Sequence, residues 1–212
     1  RQKKIDYLKE KLDLNNISMV HQVYDKALEN RSFATPIGLN YMTKLRDILM
    51  VHSRMVADKA IKICKKTELI PFIEAAAMLH DIGIIRCDAK GIECYGTEPY
   101  ICHGHIGAEM LRKDARLFGM SQEEIEPYAR VCERHTGAGL TKEQIISQSL
   151  PLPHEDLLPE TLEEQIICYA DKFFSKTHPE VEKSYDRALK SIEKFGEEGA
   201  ERFKQWNITF EK

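Results

Sequence analysis

The sequence predicts an all-α fold. Apolar residues recur at helical spacing in one segment after another, and several of these segments begin with a helix-capping residue. No segment shows the strong alternation of polar and apolar residues that is typical of a β-strand. The 212 residues are enough to bury roughly 70% of the unfolded surface in one core, so we expect a single helical domain.

The first half of the chain divides into four predicted helices. Apolar spacing indicates helices over residues 3–14 and 18–30, and Pro36 and Gly38 then indicate a loop over residues 33–40. Thr43 can cap a long helix to about residue 66. Pro71 suits the first turn of the next helix, which is predicted to end at Gly83.

An irregular stretch over residues 84–102 is predicted to separate the two halves. Irregular segments of this length inside a domain are often functional lids. Helices are then predicted over residues 103–118, 121–135, from 141 onwards, 159–176, 179–195 and 199–206. The second of these begins with a capping-box pattern at Ser121.

Composition and charge restrict the classes of partner. A hydrophobic content of 42% and a charged content of 31% are typical of a globular protein. The net charge of -3 provides no basic field, so a nucleic-acid polymer is not expected as the partner. No apolar run approaches the length of a membrane span, and neither a transmembrane helix nor a signal peptide is predicted.

The six cysteines are predicted to be buried free thiols. They contain no Cys-x-x-Cys pair, and most lie in apolar or helical settings. Free thiols favour the reducing cytoplasm. Cys87 and Cys94 flank a loop, and a zinc site there is the alternative.

His80 and Asp81 form the centre of the candidate site. An imidazole and a carboxylate at the end of a buried helix are poorly suited to a core and well suited to a metal. A His-Asp dipeptide by itself occurs easily by chance, and a lone histidine on an apolar face is more often a hydrogen-bonded core residue. The spacing of the whole set carries more weight, with His52 before this pair and His103, His135 and Asp171 after it.

This order of motifs resembles the HD superfamily of metal-dependent phosphohydrolases. The resemblance covers residues 52–176, with His80-Asp81, the His103-x-x-x-Gly107-Ala108 segment and Ala170-Asp171 as its motifs. It implies an all-α HD-type bundle with a core over about residues 43–178. Residues 1–42 and 179–212 would pack on this core or pair two subunits in a homodimer. The extra histidines resemble the binuclear branch, which includes symmetrical diadenosine tetraphosphate hydrolases, and some segments look like uncharacterised microbial HD proteins.

The resemblance implies which residues would hold each of two metal ions. The first ion would be held by His52, His80, Asp81 and Asp171, and the second by His103, His135 and a bridging Asp81. His105 is the alternative to His103 as a ligand of the second ion, and the family spacing favours His103. This donor set suits iron or manganese, with magnesium, nickel and zinc as alternatives.

Two enzymatic functions are compatible with this ligand set, and a catalytically silent metal-binding regulator is a third possibility. Two ions can lower the pKa of water towards 7 and clamp the oxygens of a phosphoryl group, so Asp81 could hold a metal-activated hydroxide for attack on a small phosphate ester or nucleotide. The alternative is an HD-type di-iron oxygenase acting on a small hydroxylated or phosphonate substrate. Phosphate would be bound by nearby cations, for which the candidates are Lys172, Arg134 and Arg86. Tyr95 and Tyr100 could stack on a base.

Overall fold

A computed structural model describes residues 22–26 and 36–212, with the side chains of residues 36–43 outside the description. The helix predicted over residues 3–14 lies outside the described part, and residues 22–26 are helical within the one predicted over residues 18–30. The remaining α-helices, in chain order, are α1 Pro36–Ile63, α2 Ile70–Leu79, α3 His103–Asp114, α4 Gln122–Arg134, α5 Lys142–Ser147, α6 Leu162–Asp171, α7 Tyr185–Glu193 and α8 Glu197–Phe210. The all-α prediction is confirmed.

The stretch between α2 and α3 is more regular than predicted. A 3-10 helix over Ile82–Arg86 leads into strand β1, Asp88–Ala89, which pairs antiparallel with strand β2, Cys94–Tyr95. Two further 3-10 turns, Lys90–Ile92 and Tyr100–Cys102, complete the segment. The described residues contain only this two-stranded sheet.

Several helix boundaries differ from the sequence prediction, among them the start of α7, which is Tyr185 and not residue 179, and the end of α8, which is Phe210 and not residue 206. Helix α1 begins at Pro36 and not at Thr43, because proline is compatible with the first helical turn. Helix α2 ends at Leu79 and not at Gly83, since the chain tightens into the 3-10 helix after Asp81. Helix α6 ends at Asp171 and not at Lys176.

Helix α1 lies at the centre of the bundle and packs against α2 and α6, while α3 packs against α4. Leu49, Ile73, Leu79 and Ile167 are fully buried in one continuous core. Burial of apolar area on this scale is the main driving force for folding, at about 25 cal/mol per Å². This packing brings the ends of α2, α4 and α6 and the start of α3 to one region of the bundle.

The C-terminal helix α8 packs on α6 through aromatic residues. The rings of Tyr169 and Phe203 lie 5.0 Å apart. The Tyr169 hydroxyl donates a hydrogen bond of 2.7 Å to Oδ1 of Asn207. These contacts fix the outer side of α6, whose last residue is Asp171.

All six cysteines are buried free thiols, as predicted. The Cys94 thiol donates to the backbone oxygen of Ile84 at 3.1 Å, and the Cys87 thiol lies near the oxygen of Gly83. In the described part of the chain, the side-chain groups able to hold a metal contain no cysteine. The structure therefore gives no support to the zinc alternative at Cys87 and Cys94.

Among the helices in residues 22–26 and 36–212, none combines the length and the apolar character needed to cross a membrane.

Candidate metal centre

Six buried side chains from five helical segments converge on one point. The histidines and carboxylates come from the middle of α1, the turn after α2, the start of α3, the end of α4 and the end of α6. They are His52, His80, Asp81, His103, His135 and Asp171. Each is at most 6% exposed, so the cluster lies below the surface. The structure thus brings together all six side chains that the sequence analysis named as metal ligands.

Asp81 stands between two groups of imidazoles. Its Oδ2 atom lies 3.1 Å from Nε2 of His52 and 3.1 Å from Nε2 of His80. Its Oδ1 atom lies 3.4 Å from Nε2 of His103 and 3.3 Å from Nε2 of His135. Each oxygen of the carboxylate therefore faces a different pair of histidines.

Three of the histidines are oriented by the same backbone contact. In His80, His103 and His135, the Nδ1 atom lies 2.6 Å from the carbonyl oxygen three residues earlier. Because Nδ1 must donate to a carbonyl, the neutral ring keeps its lone pair on Nε2, which points at Asp81. This is the tautomer that a metal ligand needs, and the contact also fixes the direction of the ring.

Asp171 joins the cluster from the end of α6. Its Oδ1 atom lies 3.0 Å from Nε2 of His52 and 3.4 Å from Nε2 of His80. The ammonium group of Lys172 donates to Oδ2 of Asp171 at 2.6 Å and to the backbone oxygen of His135 at 2.8 Å. Lys172 therefore ties the end of α6 to the end of α4.

Burial and charge set the protonation of the cluster. Burial opposes ionisation of Asp81, but the positive charges of His80 and Lys176 outweigh it and hold the carboxyl pKa well below its ordinary value. Burial would lower the pKa of His80, but the carboxylates of Asp81 and Asp171 raise it to about 9. Burial and the neighbouring His135 lower the pKa of His103 to about 3. His80 therefore binds a proton more readily than His103 does.

The cluster contains buried polar atoms that suit a cation. Within the described residues, Oδ1 of Asp81 and Nε2 of His80 are buried and make no hydrogen bond of regular geometry, whereas Oδ2 of Asp81 has the ammonium of Lys176 as an ion-pair partner. Leaving such atoms buried without a partner costs free energy. Imidazoles and carboxylates are donors that borderline divalent ions accept, so a metal ion fits both the unsatisfied atoms and the donor set.

Gly83 allows the close approach of two segments that carry ligands. A Cβ atom at this position would overlap the backbone oxygen of His103 and the backbone nitrogen of Gly107. The residue two places after Asp81 must therefore lack a side chain if α3 is to bring His103 to the cluster.

A cavity of 440 Å³ opens beside the cluster. Its inner end is formed by His103, His135 and Asp171. Four lysines line it, together with apolar side chains and Tyr100 from the segment before α3; the lysines are Lys172, Lys176, Lys183 and Lys194. A volume of this size is typical of a site for a small molecule.

Lys176 is a site residue that the sequence analysis missed. Its Nζ atom lies 2.8 Å from Oδ2 of Asp81 and 4.0 Å from Oδ1 of Asp171. A helix continued through Lys176 would have placed this side chain on a different face from Asp171. Because α6 ends at Asp171, the chain turns and brings Lys176 back to the cluster.

The other predicted site residues lie outside the two groups of potential metal ligands. His105 pairs with Glu109 at 3.5 Å and is not part of the cluster. Arg134 donates to the backbone oxygen of Leu158 at 2.6 Å, and Arg86 is exposed. Neither arginine lines the cavity, and their roles as phosphate ligands stay predictions.

Of the two tyrosines, only Tyr100 lines the cavity, with its ring 4.8 Å from that of His103. Tyr95 is 50% exposed and donates to Glu93. A stacking role for Tyr100 stays a prediction.

Several curated proteins are similar in sequence to parts of this chain. A part of this chain is 38% identical over 126 residues to an uncharacterised protein of Methanocaldococcus jannaschii, covering 59% of this chain and 60% of that protein. Another part is 33% identical over 140 residues to a protein of Thermoplasma volcanium named tRNA (cytidine(56)-2'-O)-methyltransferase, covering 66% of this chain and 35% of that protein. A protein of the same name from Picrophilus torridus is 35% identical over 136 residues, 61% of this chain and 32% of its own length.

The chain thus spans between 32% and 60% of the length of these curated relatives. No solved structure matches it significantly. The family model described as HD domain matches residues 49–175, a range that contains every residue of the cluster. The chain therefore belongs to the HD domain family.

Proposed function

We propose that this protein is a metal-dependent phosphohydrolase acting on a small phosphorylated substrate. The observation that carries the proposal is the position of Asp81, whose two oxygens face two separate pairs of histidines. A carboxylate in this position can be shared between two ions, as in two-metal hydrolytic sites. Membership of the HD domain family supports the same class of reaction.

The six buried side chains divide into two ligand groups that share one carboxylate. His52, His80, Asp81 and Asp171 would hold one divalent ion. Asp81, His103 and His135 would hold a second. Iron or manganese suits these donors best, with magnesium, nickel and zinc as alternatives. When bound, such ions polarise a phosphoryl group and lower the pKa of water to about 7.

The surrounding residues prepare the ligands and the substrate pocket. The backbone contacts at Nδ1 keep the rings of His80, His103 and His135 in the ligand tautomer. Lys172 holds Asp171 by an ion pair of 2.6 Å and positions it. We infer that Lys176 contacts the phosphoryl group, since it lines the cavity and its ammonium already lies among the carboxylates.

The cavity supports a small substrate. Its volume of 440 Å³ suits a metabolite or a nucleotide. The net charge of -3 gives no basic surface for a nucleic-acid polymer. We propose no membrane partner, place the protein in the cytoplasm on its free thiols, and keep a homodimer as an untested prediction.

Two other activities receive less support. The methyltransferase name belongs to relatives of which this chain covers only 35% and 32%, so we do not carry that activity over. The comparisons give no support to the di-iron oxygenase. The four lysines of the cavity favour an anionic substrate over a neutral polyol. They do not distinguish a phosphate ester from a phosphonate, because both are anionic.

The proposal is tested by reconstituting metal-free protein with manganese, iron, magnesium, nickel or zinc. Hydrolysis is measured as phosphate release from phosphate monoesters and nucleotides and as nucleotide products from dinucleoside polyphosphates, with oxygen uptake recorded in parallel for the iron form. We expect metal-dependent hydrolysis of at least one of these substrates, lost in His52→Ala and retained in the exposed control His154→Ala. Oxygen uptake without hydrolysis, or no turnover with any ion, would overturn the proposal.

A further inference from the structure

We infer that the substrate carries a second anionic group, bound by Lys183 and Lys194 at the outer part of the cavity while its scissile phosphate lies at the metal cluster. This inference rests on the proposed function and specifies its substrate class. The ligand would be an organic phosphate ester with a further phosphate or carboxylate.

The cavity lining is strongly unbalanced in charge. It contains four lysines and one carboxylate, that of Asp171, although the whole chain has a net charge of -3. Positive charges gathered in one cavity repel one another, and the repulsion is stronger where water is partly excluded. An anionic ligand removes this repulsion.

The two inner lysines already have carboxylate partners. Lys172 pairs with Asp171 at 2.6 Å, and Lys176 pairs with Asp81 at 2.8 Å. A single phosphoryl group at the cluster would lie next to these two ammonium groups. Its charge is therefore matched by the inner lysines and the metal ions.

The two outer lysines lack such partners. Lys183 is partly buried, and its ammonium donates only to the backbone oxygens of Lys172 at 3.2 Å and Phe174 at 3.4 Å. The ammonium of Lys194 lies 5.1 Å from the ring centre of Phe195. Among the described residues, neither lysine has a carboxylate within ion-pair distance, so both keep their capacity to bind an anion.

The other three lysines of the cavity affect the pKa of Lys183. Burial lowers the pKa of Lys183 and the carboxylate of Asp171 acts against this, while the positive charges of Lys172, Lys176 and Lys194 lower the pKa further. Lys183 is therefore close enough to the other three ammonium groups of the cavity to feel their charges. This arrangement suits a ligand that extends from the cluster towards α7.

Apolar side chains complete the lining of the cavity. Ile92, Ile101, Phe174 and Phe195 line it. These groups cannot bind a phosphate, but they can pack against the carbon skeleton of an ester. The lining thus suits an organic molecule with anionic groups at two positions.

The inference is tested by isothermal titration calorimetry on the full chain loaded with manganese. The probes are alkylphosphonates and α,ω-alkylene bisphosphonates with matched chains of increasing length, since their carbon–phosphorus bonds resist hydrolysis. We expect at least one bisphosphonate to bind about tenfold or more tightly than its matched monophosphonate, as one further charged hydrogen bond provides.

Variants then assign this preference to the outer lysines. Lys183→Met and Lys194→Met should each reduce the preference several-fold and leave monophosphonate affinity unchanged. Lys183→Arg should retain the preference. The control Lys190→Met, an exposed lysine of α7 outside the cavity lining, should behave as the unmodified protein.

Equal affinity for both probe series would overturn the inference. A parallel loss of monophosphonate affinity in the two methionine variants would also overturn it, because the lysines would then serve a single phosphate site. The readout is binding and needs no turnover. A protein that prefers bisphosphonates but hydrolyses no phosphate ester would keep the second anion site at the outer lysines, while the proposed function and the scissile role of the first phosphate failed.

Discussion

The Nε2 atoms of His103 and His135 lie 3.0 Å apart, and both face Oδ1 of Asp81. The Nδ1 atom of each ring contacts a backbone carbonyl, so in the neutral rings two lone pairs point at each other. Two lone pairs at this distance repel, and a cation between them would turn the repulsion into coordination. This pair is the clearest sign in the structure of a second metal position.

Removing one member of this pair should empty one metal position only. We expect His135→Ala to lose the second ion and to keep the one held by His52, His80, Asp81 and Asp171. Metal content per chain is measured by mass spectrometry after reconstitution and desalting. His105→Ala is the control, since His105 lies outside the cluster, and should retain both ions. Two ions in His135→Ala would argue against this assignment.

Metal binding should release protons. In the metal-free cluster the carboxylates of Asp81 and Asp171, acting against burial, raise the pKa of His80 to about 9. Below that pH the imidazole carries a proton that an ion must displace. We expect the apparent manganese affinity to rise as the pH increases towards about 9. Titration calorimetry in buffers with different ionisation enthalpies measures the release, and an enthalpy independent of the buffer would contradict the prediction.

Replacing Gly83 by alanine should destabilise the protein and disturb the cluster. The new Cβ would overlap backbone atoms of His103 and Gly107, and overpacking of this kind costs about 1–3 kcal/mol. We expect a lower free energy of unfolding, measured by chemical denaturation, together with weaker metal binding. Gly91→Ala is the matched control, because nothing lies within 4 Å of its Cβ. Equal stability of the two variants would show that Gly83 is not needed for close packing.

The cysteines should be unreactive in the folded protein. Burial raises the pKa of the Cys87 and Cys168 thiols to about 12, which leaves very little thiolate at about pH 8. We expect slow alkylation by iodoacetamide in the native state and alkylation of all six cysteines after unfolding, counted by mass spectrometry. Rapid native labelling of Cys168 would be inconsistent with its burial.

The sequence was sufficient to predict the all-α fold and the set of buried cluster residues. Apolar spacing and caps such as Ser121 act within a few residues, so they can be read locally. The histidines and aspartates were found because their order matches a known family. That order also favoured His103, which lies in the cluster, over His105, which does not.

The positions of the surrounding cations could not be read in the same way. Lys176 reaches Asp81 only because α6 ends at Asp171 and the chain then turns. Arg134 is adjacent to His135 in sequence, yet its side chain binds the backbone oxygen of Leu158. Side-chain direction depends on where helices end, and helix ends are the least predictable feature of a sequence.

The central claim is that the carboxylate of Asp81 is shared by two metal ions. The most direct measurement is the metal content of Asp81→Ala after reconstitution with manganese, compared with that of the unmodified protein and of Asp88→Asn, an exposed aspartate outside the cluster. Asp81→Ala is predicted to lose occupancy at both positions and to lose all turnover. Retention of two ions and full activity in that variant would contradict the account.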